Sequence, residues 1–390
     1  MRSLSFAVAV LAGGLLGSAW TPVSAQTLIV GNDQKPSFSD GKVVIQAPGH
    51  DTLSILDTSQ PATPRIVATI PLDNTIVGPP VNLAITPSRD LALVADTMKG
   101  EAKGDGFAVA PDNRLFVVDL TASPPAAIAA LQLGKSPEGL AISADGKFAL
   151  VANRGDGTIS VLSIDGKTVK VADTVTIGTA ADQVSAVAIA PDGKHSLAVK
   201  SGSDKVAVLT VNNGKVTYDK EDPPANHYPY NVAITPNGEI ALVANTGDNG
   251  SSDGNADTVT VIDLKDPIHV VDHVTVGDSP EGLAISPKGD VAVTVEARGS
   301  NKPKSTWFYH PSGAVTVLKI DGNKVTRVGE VMVGVLPEGA AFSADGSYLY
   351  VGNFIDKDLS VLRVDGDNIT DTGSRFKLPG QPASMRAGPQ

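Results

Sequence analysis

Residues 136–177 read SPEGLAISADGKFALVANRGDGTISVLSIDGKTVKVADTVTI. Four runs within it, GLAIS, FALVAN, TISVLSI and VADTVTI, are rich in Val, Ile, Leu and Thr and have the length of strands, not helices. The intervening ADGK, RGDG and DGKT carry the Gly and Asp of tight turns. The stretch therefore predicts a four-stranded antiparallel meander. The unit recurs: SPEGLAISPKGDVAVTVEA starts at Ser279 and LPEGAAFSADGSYLYVGN at Leu336. Four strands in a period of roughly 40–50 residues form a propeller blade.

Working outward, Leu140 in the innermost strand has equivalents at Leu83, Val187, Val232, Leu283, Ala340 and Met385, which makes seven anchors. The first copy of the second strand, TLIVGN at 27–32, has no innermost strand before it. The last innermost strand, QPASMRAG at 381–388, has no second strand after it. The expected fold is all-β: a single seven-bladed β-propeller over residues 26–390. The C-terminal strand completes the N-terminal blade and so removes the open sheet edges.

The segments LALVAD, ALVAN and LYVGN, each followed by a Gly/Asp turn and a strand like TISVLSI, resemble the YVTN-type β-propeller repeat. The resemblance covers nearly all of residues 26–390. It implies the fold; the activity stays open, because the family includes lactonase-like hydrolases, surface-layer and adhesion proteins, and periplasmic proteins.

Composition narrows the class. Gly (39) and Pro (27) are abundant and aromatics make up 4%, as short strands and turns require. Arg2, the apolar run 4–16 and VSA at 23–25 form a secretory signal pattern with a cut before Gln26, so residues 1–25 are set apart and a periplasmic location is expected. No later segment has the ~20 apolar residues of a membrane span. There is no cysteine, which excludes disulfides, a thiol nucleophile and covalent c-type haem. The net charge of −11, with Lys and Arg scattered singly, argues against a nucleic acid partner. A monomer is expected, with a small molecule or protein partner.

The repeats differ mainly in the hairpin after the second strand. It is RGDG in blade three, but it lengthens at 97–113 in blade two, 246–257 in blade five and 297–313 in blade six, with a further excursion at 33–42 in blade one. These hairpins share a face with the starts of the innermost strands, so that top face is the expected binding face.

Two rings of side chains are expected around the channel mouth there. Aligned on Glu138, the first comprises Ala383, Val81, Glu138, Ser185, Tyr230, Glu281 and Glu338. The second comprises Asn32, Asp96, Asn153, Lys200, Asn245, Glu296 and Asn353, where asparagine suits a turn-forming role. Lys200 and Glu296 depart from that pattern. Glu281, Glu338 and Glu296 are expected near one channel, where like charges raise a pKa or hold a cation. The PEG glutamates could instead lock blades together through a neighbouring Arg or Lys.

Carboxylate, Arg and His are the parts of lactone hydrolysis, so Glu281, Glu338, Arg298, His227 and His310 are candidate catalytic residues. Glu138, Arg154, Tyr230, Lys200, Glu296, Trp307 and Tyr309 are candidates for ligand binding, the last two within the aromatic WFY of a long loop. Asp248, Asp253 and Asp257 lie in an oxygen-rich loop that suits calcium, at a spacing that is not an EF-hand's. No G-x-S-x-G elbow or phosphate-binding glycine loop occurs. The expectation is a ligand-binding or protein-interaction module acting through its top-face loops, with a lactonase-like hydrolase as the alternative.

Overall fold

The computed structural model describes residues 26–212 and 214–388. The signal segment expected at 1–25 lies outside the described residues. Seven four-stranded antiparallel sheets form seven blades. Blade three follows the meander expected of it: Pro137–Ile142, Phe148–Asn153, Thr158–Asp165 and Thr168–Thr176. Its first turn is held locally, with Ser143 Oγ donating to Asp145 at 2.6 Å and Gly146 at φ 70°.

The ring closes as expected. Gln381–Ala387 pairs antiparallel with Thr27–Asp33, from Leu28 opposite Ala387 to Asp33 opposite Gln381. The chain's last strand is thus the innermost strand of blade one.

The core lies between blades. Leu150, Ile159 and Val161 of blade three pack with Val187, Ala198 and Leu209 of blade four, all buried. The same arrangement joins blade seven to blade one, where Tyr350, Leu359 and Val361 meet Leu28, Leu56 and Met385. Each Val, Leu, Ile or Met among them contributes about 1.5–3 kcal/mol on burial.

The inserted segments are more ordered than loops. In blade two, Leu91–Lys103 and Gly106–Asp119 pair to a tip at Lys103 opposite Gly106, with one register shift between Asp96 and Met98. In blade one, Pro36–Ser39 pairs with Lys42–Ile45. That hairpin arches over blade seven: Phe38 packs edge-on to Phe354, and Asp40 accepts from Lys304 N in blade six's loop. Among the described residues no helix is long and apolar enough to cross a membrane.

Removing residues 381–390 leaves blade one without its innermost strand and opens the ring. The truncated chain is expected to lose its single cooperative thermal transition and to expose sheet edges that aggregate. An unchanged melting temperature by differential scanning calorimetry would contradict closure by this strand.

Candidate functional site

A local device aims one side chain per blade at the channel. Five innermost strands follow a residue in the left-handed region: Ser136 (φ 52°), Gln183 (φ 47°), Tyr228 (φ 51°), Ser279 (φ 57°) and Leu336 (φ 49°). Each strand then carries a register irregularity at its start. Bulges re-aim side chains, and non-glycine residues at positive φ cost on the order of 1–3 kcal/mol, a strain that collects at functional sites. The residues re-aimed are Glu138, Ser185, Tyr230, Glu281 and Glu338. The glycine after each glutamate lets neighbouring innermost strands touch: a Cβ on Gly139, Gly282 or Gly339 would collide with the Ala186 backbone, the Glu338 carbonyl or Met385.

The three PEG glutamates converge, but they are not equivalent. Glu138 pairs with Arg154 at 3.3 Å within blade three, not across to a neighbouring blade as the lock reading of this motif expects. Arg154 also donates to Gln183 and to the Tyr228 hydroxyl at 2.6 Å, and lies over the Tyr228 and Tyr230 rings. Burial raises the Glu138 carboxyl, while Arg154 and the Tyr230 hydroxyl pull it down. Arg154, whose guanidinium stays protonated, favours the carboxylate form of Glu138 against that burial.

Glu281 and Glu338 have no basic partner among the described residues and face each other instead. A Cβ on Gly78 would lie 3.2 Å from Glu338 Oε2 and 3.8 Å from Glu281 Oε2. Glu338 is 1% exposed and its Oε2 has no hydrogen-bond partner among the described residues. Burial, and then the charge of Glu281, push Glu338 well above the usual carboxylate range. Burial pushes Glu281 to about 7. Tyr230, raised by burial and by all three glutamates, links this pair to Arg154. Burial and mutual repulsion thus favour one proton shared by the pair over two carboxylates.

The segment over the pair is fixed from below. Val77 N donates to Asp33 at 2.9 Å, and Thr75 Oγ1 donates to the Gly78 carbonyl. Buried Lys35 pairs with Asp33 and Asp51 and donates to the Asn74 carbonyl. The sequence carries no short motif for this roof, or for the parts played by Tyr228 and Gln183. Only the fold brings them to the glutamates.

The second ring does not border the channel. Its strand lies one step outward, and its side chains serve their own blades. Asn32, Asn153, Asn245 and Asn353 donate to Ser or Thr hydroxyls of the third strand. Asp96 pairs with Arg114, and Lys200 pairs with Asp222 and Asp182. Burial raises Asp96 to about 8. Glu296 does not join Glu281 and Glu338: its Oε1 accepts from Gly277 N and Thr294, and burial raises it to about 7.

The expected catalytic set is likewise only partly assembled. Arg298 pairs with Glu330 at 3.1 Å, so it does not balance the two glutamates. His227 is 63% exposed and lies 3.5 Å from Asp204. His310 is exposed, its Nδ1 near the carbonyls of Arg298 and Phe308. Trp307 is 80% exposed, edge-on to Phe308, while Tyr309 is half-buried. Asp248, Asp253, Asp257 and His227 line a cavity of about 350 Å³. Within it Asp253 caps Asn255, and Asp257, raised by burial to about 6, accepts from Ser279 N. Among the described residues no three His, Asp or Glu side chains are placed to hold a metal ion.

The family described as Lactonase, 7-bladed beta-propeller matches residues 167–252. No curated protein matches the chain. A functionally unknown protein from Desulfotomaculum acetoxidans superposes with a TM-score of 0.68 at 17% identity, over 94% of this chain and 99% of that one. The periplasmic gluconolactonase of Pseudomonas aeruginosa gives 0.66 at 18%, over 93% and 99%. A Bacteroides uniformis protein provisionally named a 6-phosphogluconolactonase gives 0.66 at 15%, over 93% and 99%. At these identities the likeness is one of fold.

Glu296 gives a pH dependence with a definite sign. Its folded pKa of about 7 exceeds the value of about 4.3 for a free glutamate, so the folded form keeps a proton that the unfolded chain releases. Stability therefore falls as pH rises across that window, by up to about 4 kcal/mol for this residue. Glu296→Gln should melt higher than the parent at pH 8, with the gap closing by pH 4.5. Parallel melting curves across that range would contradict the assignment.

Proposed function

We propose that this protein hydrolyses a small polar lactone at the Glu281–Glu338 pair. The observation that carries the reading is a carboxyl pair with no basic partner among the described residues, buried under Gly78, whose members differ in acidity. Two titratable groups pushed apart by their surroundings form an acid and a base. The fold-level likeness to gluconolactonases adds support by analogy.

In this reading Glu281, ionised above about pH 7, takes a proton from water. The water oxygen bonds to the lactone carbonyl carbon, and the C=O pair moves onto oxygen. Collapse of that intermediate breaks the ring C–O bond, and Glu338 gives its proton to the leaving oxygen. The product is the open hydroxy acid. Proton transfer from Glu281 to Glu338 restores the pair. Arg154, fixed by Glu138, Gln183 and Tyr228, contributes positive charge near the developing oxyanion.

Hydrolysis of gluconolactone-type substrates should rise with pH through about 7. Glu281→Gln and Glu338→Gln should each lower kcat by about 100-fold or more. Gly78→Ala, with φ at 70° and a methyl pressed towards Glu338, should act similarly. Unchanged hydrolysis in both glutamine variants would overturn this reading. It would leave the top face as a binding module, for which exposed Trp307 is the stacking candidate.

The signal pattern of residues 1–25 supports export, and we place the working protein in the periplasm on that ground. N-terminal sequencing of protein from a periplasmic extract should begin at Gln26. Recovery of intact Met1 from the cytoplasmic fraction would contradict export.

A further inference from the structure

The half of the channel beyond the carboxylates is a different environment. A cavity of about 350 Å³ runs between the C-terminal halves of all seven innermost strands. Its lining side chains are mainly apolar, with Leu140, Ile142, Ile189, Ile234, Ile285 and Phe342 among them, while polar atoms make up about half of the exposed wall. The residue one past each anchor also lines it. In blades two to seven that residue is Ala84, Ala141, Ala188, Ala233, Ala284 and Ala341; in blade one it is Arg386.

Arg386 is the one charged residue among the described residues that line this cavity. Its Nε donates to the Leu83 carbonyl at 3.4 Å, a long bond, and no acidic group acts on it. Arg386 is half-buried, and its guanidinium presents five N–H donors in a fixed fork, one of which goes to the Leu83 carbonyl. Six alanines open the space, and the seventh position puts a charge into it.

We propose that this half of the channel binds a monocarboxylate with an apolar body, its carboxylate on Arg386 and its body against the aliphatic ring. The planar carboxylate matches the guanidinium fork bidentately. A single charge fits best: the chain carries −11, and Glu138, Glu281 and Glu338 face the same channel, so each further negative charge on the ligand is repelled. The volume suits a medium-chain or small aromatic acid, at the lower end of the range for ligand pockets. The site is separate from the proposed lactone chemistry and does not depend on it.

Isothermal titration calorimetry with octanoate, octanol and acetate tests this on the full chain. Octanoate should bind, with octanol and acetate each weaker by about tenfold or more. Arg386→Ala, which restores the alanine of the other six blades, should weaken octanoate by a similar factor. Ala284→Leu, which narrows the cavity and keeps the guanidinium, should do the same. No binding of octanoate, equal binding of octanol or acetate, or equal binding by Arg386→Ala would each overturn the proposal. If Arg386→Ala does not fold, Ala284→Leu and the three-probe comparison on the parent protein still decide it.

Discussion

Ring closure is the constraint on which the rest of the molecule depends. Pairing of Gln381–Ala387 with Thr27–Asp33 gives blade one its innermost strand, and only then do seven such strands surround one axis. The axis turns a linear repeat into a convergent site. Glu138, Glu281 and Glu338 are far apart in the chain and occupy equivalent positions in three blades, so closing the ring brings them to one channel mouth. The same closure brings Arg386 to the opposite half of the channel. A linear stack of the same blades would leave these side chains dispersed in water with ordinary acidities.

Convergence carries an electrostatic cost that the protein meets in two ways. Glu138 is given a guanidinium, which itself is held by Gln183 and Tyr228. Glu281 and Glu338 are given none, and the cost is relieved by keeping a proton. A repeat-specific blade lock would treat all three alike. The different treatment of three copies of one motif separates a glutamate held by a guanidinium from two left without one, and it is what directs the proposed function to this pair.

Much of this was legible in the residues. Strand length, turn chemistry and the recurring anchor lead directly to seven blades and to closure by residues 381–388. PEG points to the glutamates because the motif repeats in register. The alignment misleads at Glu296, where equivalent positions in a second strand face the blade interior and not the axis. It is silent on Arg298 and His310, whose inserted segment follows no repeat, and on His227, which lies in the connection before Pro229–Ile234 and pairs with Asp204. The roof over the pair was hidden for a different reason. Its parts, Lys35, Asp33, Asp51 and residues 74–78, are joined by tertiary contacts and by no spacing. Arg386 did leave a trace in the sequence, an arginine against six alanines at matched positions, visible once the position after each anchor is compared.

The most direct test of the central claim is infrared spectroscopy of the carboxyl C=O stretch at pH 7, comparing the parent protein with Glu338→Gln. A protonated-carboxyl band present in the parent and lost in the variant is the predicted result. Superimposable spectra in that region would mean that the pair holds no proton at neutral pH, and the acid–base account of the channel mouth would fail.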